Sequence, residues 1–444
     1  MAEGDTHPTT SNESQQIVDH AQDIVSYIAT GDYQYVVDSF APNYTDEYTA
    51  FLPESYEPYL KLEPESVLEE SWRALTSLYG PFESIAEVGV EDSDEGTTVE
   101  LLLECKHARQ ELRIDLDDEQ RITDFAFPSE YSSPKYVDQT EFDEREVTIQ
   151  TGGFELEGTV SVPTGSDEPP GVVLVHGSGA NNRDYAAGPN AILKDLAWGL
   201  ASRGVTVLRY DKRTFATEFE PDGSDHIDSV VVDDAVAAVN QLIESGDVDP
   251  DRVFVVGHSL GGFCAPIIAD RHGGLAGIVN LDGPLNQPLV KELTEGITER
   301  WRFSDELSEY GQQQIDFIES ERTRIEQDDF SDEELVFGQP GSLWRSTIEY
   351  EQNRPQLLQE LDCPIFYSRT GRDYPEMARR SVDAVPDGLL AGDSRVVLYD
   401  DLNHYYQEGE NVPSSLLEVI LFRKAPSEVV IDDLVTWIDE QSLQ

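Results

Sequence analysis

Residues 253–262 read Val-Phe-Val-Val-Gly-His-Ser-Leu-Gly-Gly, so a run of β-formers passes straight into Gly257-His258-Ser259-Leu260-Gly261. A helical stretch follows. A serine with glycines two positions before and after it, between a buried strand and a helix, marks a sharp strained turn that lifts the hydroxyl off the end of a sheet. The glycines leave room where such a turn crowds its neighbours. A hydroxyl held this way can attack an acyl carbonyl, provided a base takes its proton and an acid orients the base.

Downstream of Ser259 there are two histidines, His272 and His404. His272 closes the helix that begins at the serine, about 20 Å away at 1.5 Å per residue, and suits a helix C-terminus. His404 follows the last strand in Asp400-Asp401-Leu402-Asn403-His404, on a loop at the carboxyl end of the sheet, and is the expected base. Two acids sit just past buried strands: Asp282 in Asn280-Leu281-Asp282-Gly283, and Asp373 in Thr370-Gly371-Arg372-Asp373. Asp373 is the expected orienting acid, because a loop after the penultimate strand can reach a histidine after the last one. Two backbone N–H groups must bind the oxyanion: that of Leu260, directly after the nucleophile, and that of Ser178 in His176-Gly177-Ser178-Gly179. His176 and His258 are expected to be structural neighbours of these two loops.

These groups need a sheet to position them. Near-continuous apolar runs at 171–175, 205–209, 253–256, 277–281, 365–368 and 396–399 read as strands, with helices over 191–202 and 230–244. Buried apolar strands alternating with helices imply a parallel sheet covered on both faces. A hairpin turning at Gly152-Gly153 leads into it. An α/β domain is therefore expected over 145–444. The stretch 286–354 interrupts the alternation with charged helices carrying Trp301, Phe303, Phe330, Phe337 and Trp344. It reads either as surface helices with their aromatics packed inward or as a helical lid over an apolar cleft, and an insertion after the sixth strand, at the carboxyl end of the sheet, favours the lid.

Upstream, 1–12 is expected to be a disordered polar tail and 13–128 a small α+β domain. Its helices fall near 17–28 and 67–79, and its strands at 99–105, 112–116 and 122–127. The polar stretch 129–144, with Pro134, is the expected linker.

The chain has 444 residues, with 89 Asp and Glu against 30 Lys and Arg, a net charge of −59. Such a surface repels phosphate backbones and anionic headgroups, which argues against nucleic acid and membranes as partners. The acidic residues are spread along the whole chain, the pattern of a folded surface rather than an interaction tail. No apolar run approaches the roughly 20 residues of a membrane span. Cys105, Cys264 and Cys363 lie far apart, without metal-ligand spacing, and are expected as buried small hydrophobes; no metal or cofactor is implied. Residues 1–12 lack the basic and apolar regions of a signal peptide, so a cytoplasmic location is expected.

The segments LVHGSGANNRD (174–184), LKDLAWGLASRGVTVLRYDKR (193–213), VFVVGHSLGG (253–262), TGRDY (370–374) and LNHYY (402–406) resemble the α/β-hydrolase superfamily, in particular its dienelactone-hydrolase-like and serine-aminopeptidase-like group. The N-terminal part is similar to α+β domains of the nuclear-transport-factor or cystatin type. The Lys-poor, acid-rich composition resembles proteins of halophilic archaea. The resemblance implies a metal-free serine hydrolase with Ser259, Asp373 and His404 as nucleophile, acid and base. Carboxylic esters are the first-choice substrate; peptidase, thioesterase or acyl-transfer chemistry on the same triad, or a non-catalytic binding role, are the alternatives.

Overall fold

The structure is a computed structural model that describes residues 12–52, 61–93, 96–217, 223–302, 308–386, 390 and 392–441. The expected tail lies almost wholly outside the described residues. The chain divides into two compact units: Met1–Glu130 with Gly409–Phe422, and Tyr131–Glu408 with Arg423–Gln444.

In the first unit, α1 (Asn12–Thr30) buries Ala21, Ile24, Val25 and Ile28, one stripe at helical spacing,. α2 (Pro64–Tyr79) starts with proline in its first turn and buries Val67, Leu68, Trp72, Ala74, Leu75 and Leu78,. An antiparallel sheet follows, in the order β1 (Phe82–Ser93), β2 (Gly96–Cys105), β3 (Arg109–Leu116), β4 (Ile122–Ala126). Val99, Leu101, Leu103 and Cys105 of β2 are buried along one face, with Leu112, Ile114 and Leu116 of β3 beside them. The sequence pattern shows β2 to β4 but not β1. Irregularities at Phe82/Ser84 and Ile85/Glu87 break the two-residue period of β1, so its apolar residues do not alternate,. The returning segment 409–422 completes this core: Leu417 and Phe422 are fully buried, and the Phe422 ring lies 5.7 Å from that of Tyr79 and 5.2 Å from that of Phe127.

In the second unit, β5 (Phe142–Thr151) and β6 (Phe154–Pro163) form the expected hairpin, with Gly152 and Gly153 at positive φ in the turn,. The remaining strands are β7 (Gly171–Val175), β8 (Thr206–Tyr210), β9 (Val253–His258), β10 (Gly277–Leu281), β11 (Ile365–Thr370) and β12 (Arg395–Tyr399). They assemble in the order β12-β11-β10-β9-β7-β8-β6-β5, parallel from β12 to β8, with β6 antiparallel to its neighbours. Every residue of β7 to β11 is buried, which is why these strands read as unbroken apolar runs,.

Helices α3 (Ile192–Ala201), α4 (Asp233–Glu244) and α5 (Leu260–His272) alternate with these strands. The interruption after β10 is helical, with α6 (Leu289–Arg302), α7 (Glu309–Glu326) and α8 (Gly341–Glu360). It has its own small core of Val290, Ile325, Phe330, Val336 and Trp344. Phe303 lies outside the described residues. After β11 comes α9 (Pro375–Asp383), and α10 (Glu428–Gln441) closes the described chain.

The neck from which 409–422 departs is clamped within the second unit. Gln407 Nε2 donates to the Lys424 carbonyl at 2.5 Å, Ser427 Oγ donates to Glu408 at 2.7 Å, and Arg423 pairs with the fully buried Asp195 at 2.9 Å. Among the described residues no helix is long and apolar enough to cross a membrane.

Candidate active site

Ser259 caps α5 with φ +54° and ψ −115°, a conformation costly for any residue with a Cβ,. Its neighbours make the turn possible. A Cβ on Gly257 would overlap the Gly261 carbonyl, and one on Gly261 would overlap the Val175 carbonyl. The turn is pinned from both sides: Ser259 N–H donates to the Leu281 carbonyl at 2.7 Å, and Phe263 N–H donates to the Ser259 carbonyl at 2.9 Å. The serine itself is partly exposed.

His404 arrives at the same end of the sheet on a tight loop. Asn403 Oδ1 accepts the N–H groups of Tyr405 and Gln407, both at 3.0 Å, and Tyr406 OH meets Ser368 Oγ at 2.7 Å beneath it. The elbow and this loop touch directly: His258 Nε2 donates to the His404 carbonyl at 2.8 Å, and the two rings lie 4.8 Å apart. Because a carbonyl only accepts, His258 carries its proton on Nε2.

The carboxylate that meets the His404 ring is Asp282, not the Asp373 that the sequence reading favoured. His404 Nδ1 lies 2.5 Å from Asp282 Oδ2, whereas Asp373 Oδ2 accepts the backbone N–H of His404 at 3.0 Å. Strand order explains this. β10 is the immediate neighbour of β9, so the residue after its last ladder position stands beside the elbow. Asp282, itself at φ +58°, is fixed by Thr370, whose N–H donates to Oδ1 at 3.0 Å and whose Oγ1 donates to Oδ2 at 2.8 Å. The loop bearing Asp373 is drawn the other way, since Gly371 and Arg372 N–H donate to the carbonyls of Tyr399 and Leu402. It therefore meets the main chain of His404 rather than its ring.

Electrostatics follow the geometry. Burial disfavours the Asp282 carboxylate, but Arg369 (3.1 Å from Oδ1) and the His404 ring outweigh it and bring its pKa down to about 2,. Burial likewise disfavours the His404 imidazolium, yet the bond to Asp282 and the nearby Asp373 charge leave its pKa above the ordinary 6.5. Burial pushes both His176 and His258 down to about 3, so they are neutral, in keeping with structural roles. His272 stands at the end of α5, remote from this cluster in the chain.

The N–H of Leu260 opens α5 and so has no partner within the helix,. Ser178 is exposed at the tip of the loop after β7. Beneath that loop Lys212, 5% exposed, donates from Nζ to the Gly177 carbonyl at 2.7 Å, and burial lowers its pKa to about 8. Sequence reasoning passed over Lys212 and Arg369 alike. Their one signal is a cation at the end of an apolar strand, Tyr210-Asp211-Lys212 and Tyr367-Ser368-Arg369. Among the described residues no group of three or more His, Cys, Asp or Glu converges to hold a metal ion.

Residues 172–413 match the model of the alpha/beta hydrolase family. Esterase EstD of Thermotoga maritima is 29% identical over 377 residues, spanning 84% of this chain and 86% of that protein. Among solved structures, brefeldin A esterase aligns over 71% of this chain and 81% of its own, at 18% identity and a TM-score of 0.42. The esterase of Pyrobaculum calidifontis covers 68% of this chain and 84% of its own, at 16% identity and a TM-score of 0.43.

Proposed function

Since the chain belongs to the alpha/beta hydrolase family, with the family's model spanning more than half of it, we propose that it is a carboxylesterase working through Ser259, His404 and Asp282. The observation that carries this reading is a strained serine on an elbow that touches the His404 loop through His258, with the His404 Nδ1 tied to a buried carboxylate. With its proton fixed on Nδ1, neutral His404 presents the Nε2 lone pair, the form a general base requires.

In this reading Ser259 Oγ bonds to the acyl carbon while its proton passes to His404 Nε2. The N–H groups of Leu260 and Ser178 take the oxyanion. Collapse breaks the bond to the leaving alcohol, which takes the proton from His404. Water then attacks the acyl-enzyme by the same route, releasing the acid and restoring the serine. Asp282 holds the ring and stabilises the imidazolium, while Asp373 holds the backbone of the histidine loop. The first sequence expectation gave the ring-holding role to Asp373; the hydrogen-bond pattern favours Asp282.

Small ester substrates follow from the esterase relative. The net charge of −59 supports a protein that works in concentrated salt, where self-repulsion is screened. The test is labelling by a fluorophosphonate probe and turnover of a p-nitrophenyl ester series in multimolar KCl, beside Ser259→Ala. Labelling and turnover that vanish in the variant support the reading. A folded, salt-replete protein that neither labels nor turns over esters overturns it.

A further inference from the structure

Behind His404 stands a line of buried charges. Asp282 Oδ2 meets the ring at 2.5 Å, Arg369 lies 3.1 Å from Asp282 Oδ1, and Glu292 Oε1 lies 2.5 Å from Arg369 Nη1. The side chains of Asp282 and Arg369 are each 4% exposed, and that of Glu292 is 7% exposed. Buried ion pairs give little net stability over apolar residues of the same shape, so stability alone does not account for three fixed charges ending at one imidazole. The chain of charges also crosses elements: Asp282 follows β10, Arg369 is on β11, and Glu292 is on α6, the first helix of the insertion.

Helix α6 is seated at this point by a second contact. One turn beyond Glu292, Gly296 packs so closely on the Tyr374 ring that a Cβ there would stand 2.9 Å from it. Tyr374 directly follows Asp373. The start of α6 is fixed as well, with Leu289 N–H donating to Glu351 of α8 at 2.5 Å, and Arg354 of α8 donating to the carbonyls of Pro284 and Gln287.

We propose that Glu292 and Arg369 are positioning residues, through which the first helix of the insertion sets how Asp282 holds the His404 ring. The inference rests on the reading of His404 as the base. The groups facing that ring are Asp282 and Asp373, the Arg369 guanidinium, and the rings of neutral His258 and of Tyr405; Glu292 and Tyr367 face Arg369, and Arg354 acts on Glu292. Arg369 opposes a proton on His404, and Glu292 offsets Arg369. Removing the two charges must therefore move the histidine in opposite directions, which a merely structural pair would not do.

The test follows His404 in the full-length protein by NMR of labelled histidine across a pH titration, with kcat/KM measured over the same range. Arg369→Met is expected to move both inflections up by about 0.5–1 pH unit, and the isosteric Glu292→Gln to move them down by a similar amount. The double variant returns toward the wild type, because the two opposite shifts offset each other. Shifts that are absent or of the same sign overturn the proposal. Where Arg369→Met fails to fold, Glu292→Gln decides alone: a downward shift supports the proposal and an unmoved inflection overturns it. Failure of the esterase reading shows instead as a wild type without labelling or turnover, and the NMR titration still reads the charge line in that case.

Discussion

Asp373 accepts the backbone N–H of His404 at 3.0 Å, while the ring of the same histidine turns to Asp282 at 2.5 Å. Two carboxylates thus divide the work on one residue, and substitution separates them. Asp282→Asn is expected to lower kcat by about 10³-fold or more, because the ring loses the partner that fixes its tautomer. Asp373→Asn keeps that partner and is expected to cost about 10-fold or less, through a looser loop. Steady-state kinetics on one p-nitrophenyl ester decides it; a reversed order would return the acid's role to Asp373.

Activity and stability respond to pH in opposite senses at His404. Its folded pKa is raised above 6.5, and the base must be neutral, so kcat/KM rises with pH through an inflection above that value. The raised pKa means that the folded state holds the proton more firmly than the unfolded chain. The associated stability is therefore complete below pH 6.5 and lost as pH climbs through the folded value. Asp282 behaves conversely, its contribution present above pH 3.8 and lost as pH falls toward about 2,. Denaturation midpoints of the wild type against Asp282→Asn, taken from pH 2 to 9, read both windows.

Lys212 supports the loop that bears Ser178 through the Gly177 carbonyl. In Lys212→Met that carbonyl loses its donor, at a cost of roughly 1–3 kcal/mol. The expected signature is a fall in kcat of about tenfold with KM little changed, since the loop serves the transition state more than the bound ester. Equal losses in every ester regardless of acyl length would agree with this; a change confined to KM would not.

The elbow tolerates no Cβ at Gly257 or Gly261, where the blocking atoms are backbone carbonyls. Gly261→Ala is expected to abolish probe labelling and to lower the melting temperature by several degrees, reflecting a strain of about 1–3 kcal/mol. Full labelling in this variant would mean that the turn relaxes without loss of the nucleophile.

With a net charge of −59, stability should rise with KCl well beyond 0.15 M, where the Debye length is already about 8 Å. A thermal midpoint independent of salt from 0.1 to 3 M would show that the charge is accommodated by other means.

What was legible in the sequence was local. The glycine spacing around Ser259 dictates a turn whatever surrounds it, and the β5–β6 hairpin announces itself by Gly152-Gly153. His404 was legible because it alone follows the last strand. Which carboxylate meets its ring was not, because it depends on which strand lies beside β9, a property of sheet order that no local pattern encodes. Arg369 and Lys212 were missed because a single charge in sequence looks the same whether it is solvated or buried against a partner. The segment 409–422 carries no shift in composition, so nothing announced that its residues serve the core of the other unit.

That excursion has a consequence for the gene. Leu417 and Phe422 are coded after most of the second unit yet are buried among residues of the N-terminal unit. A deletion of the first 130 codons would strip the cover from two large apolar side chains on a loop that begins soon after His404. Residues 131–444 expressed alone would therefore carry a sticky hydrophobic flap, because the apolar side chains that bury Leu417 and Phe422 belong to the first 130 residues.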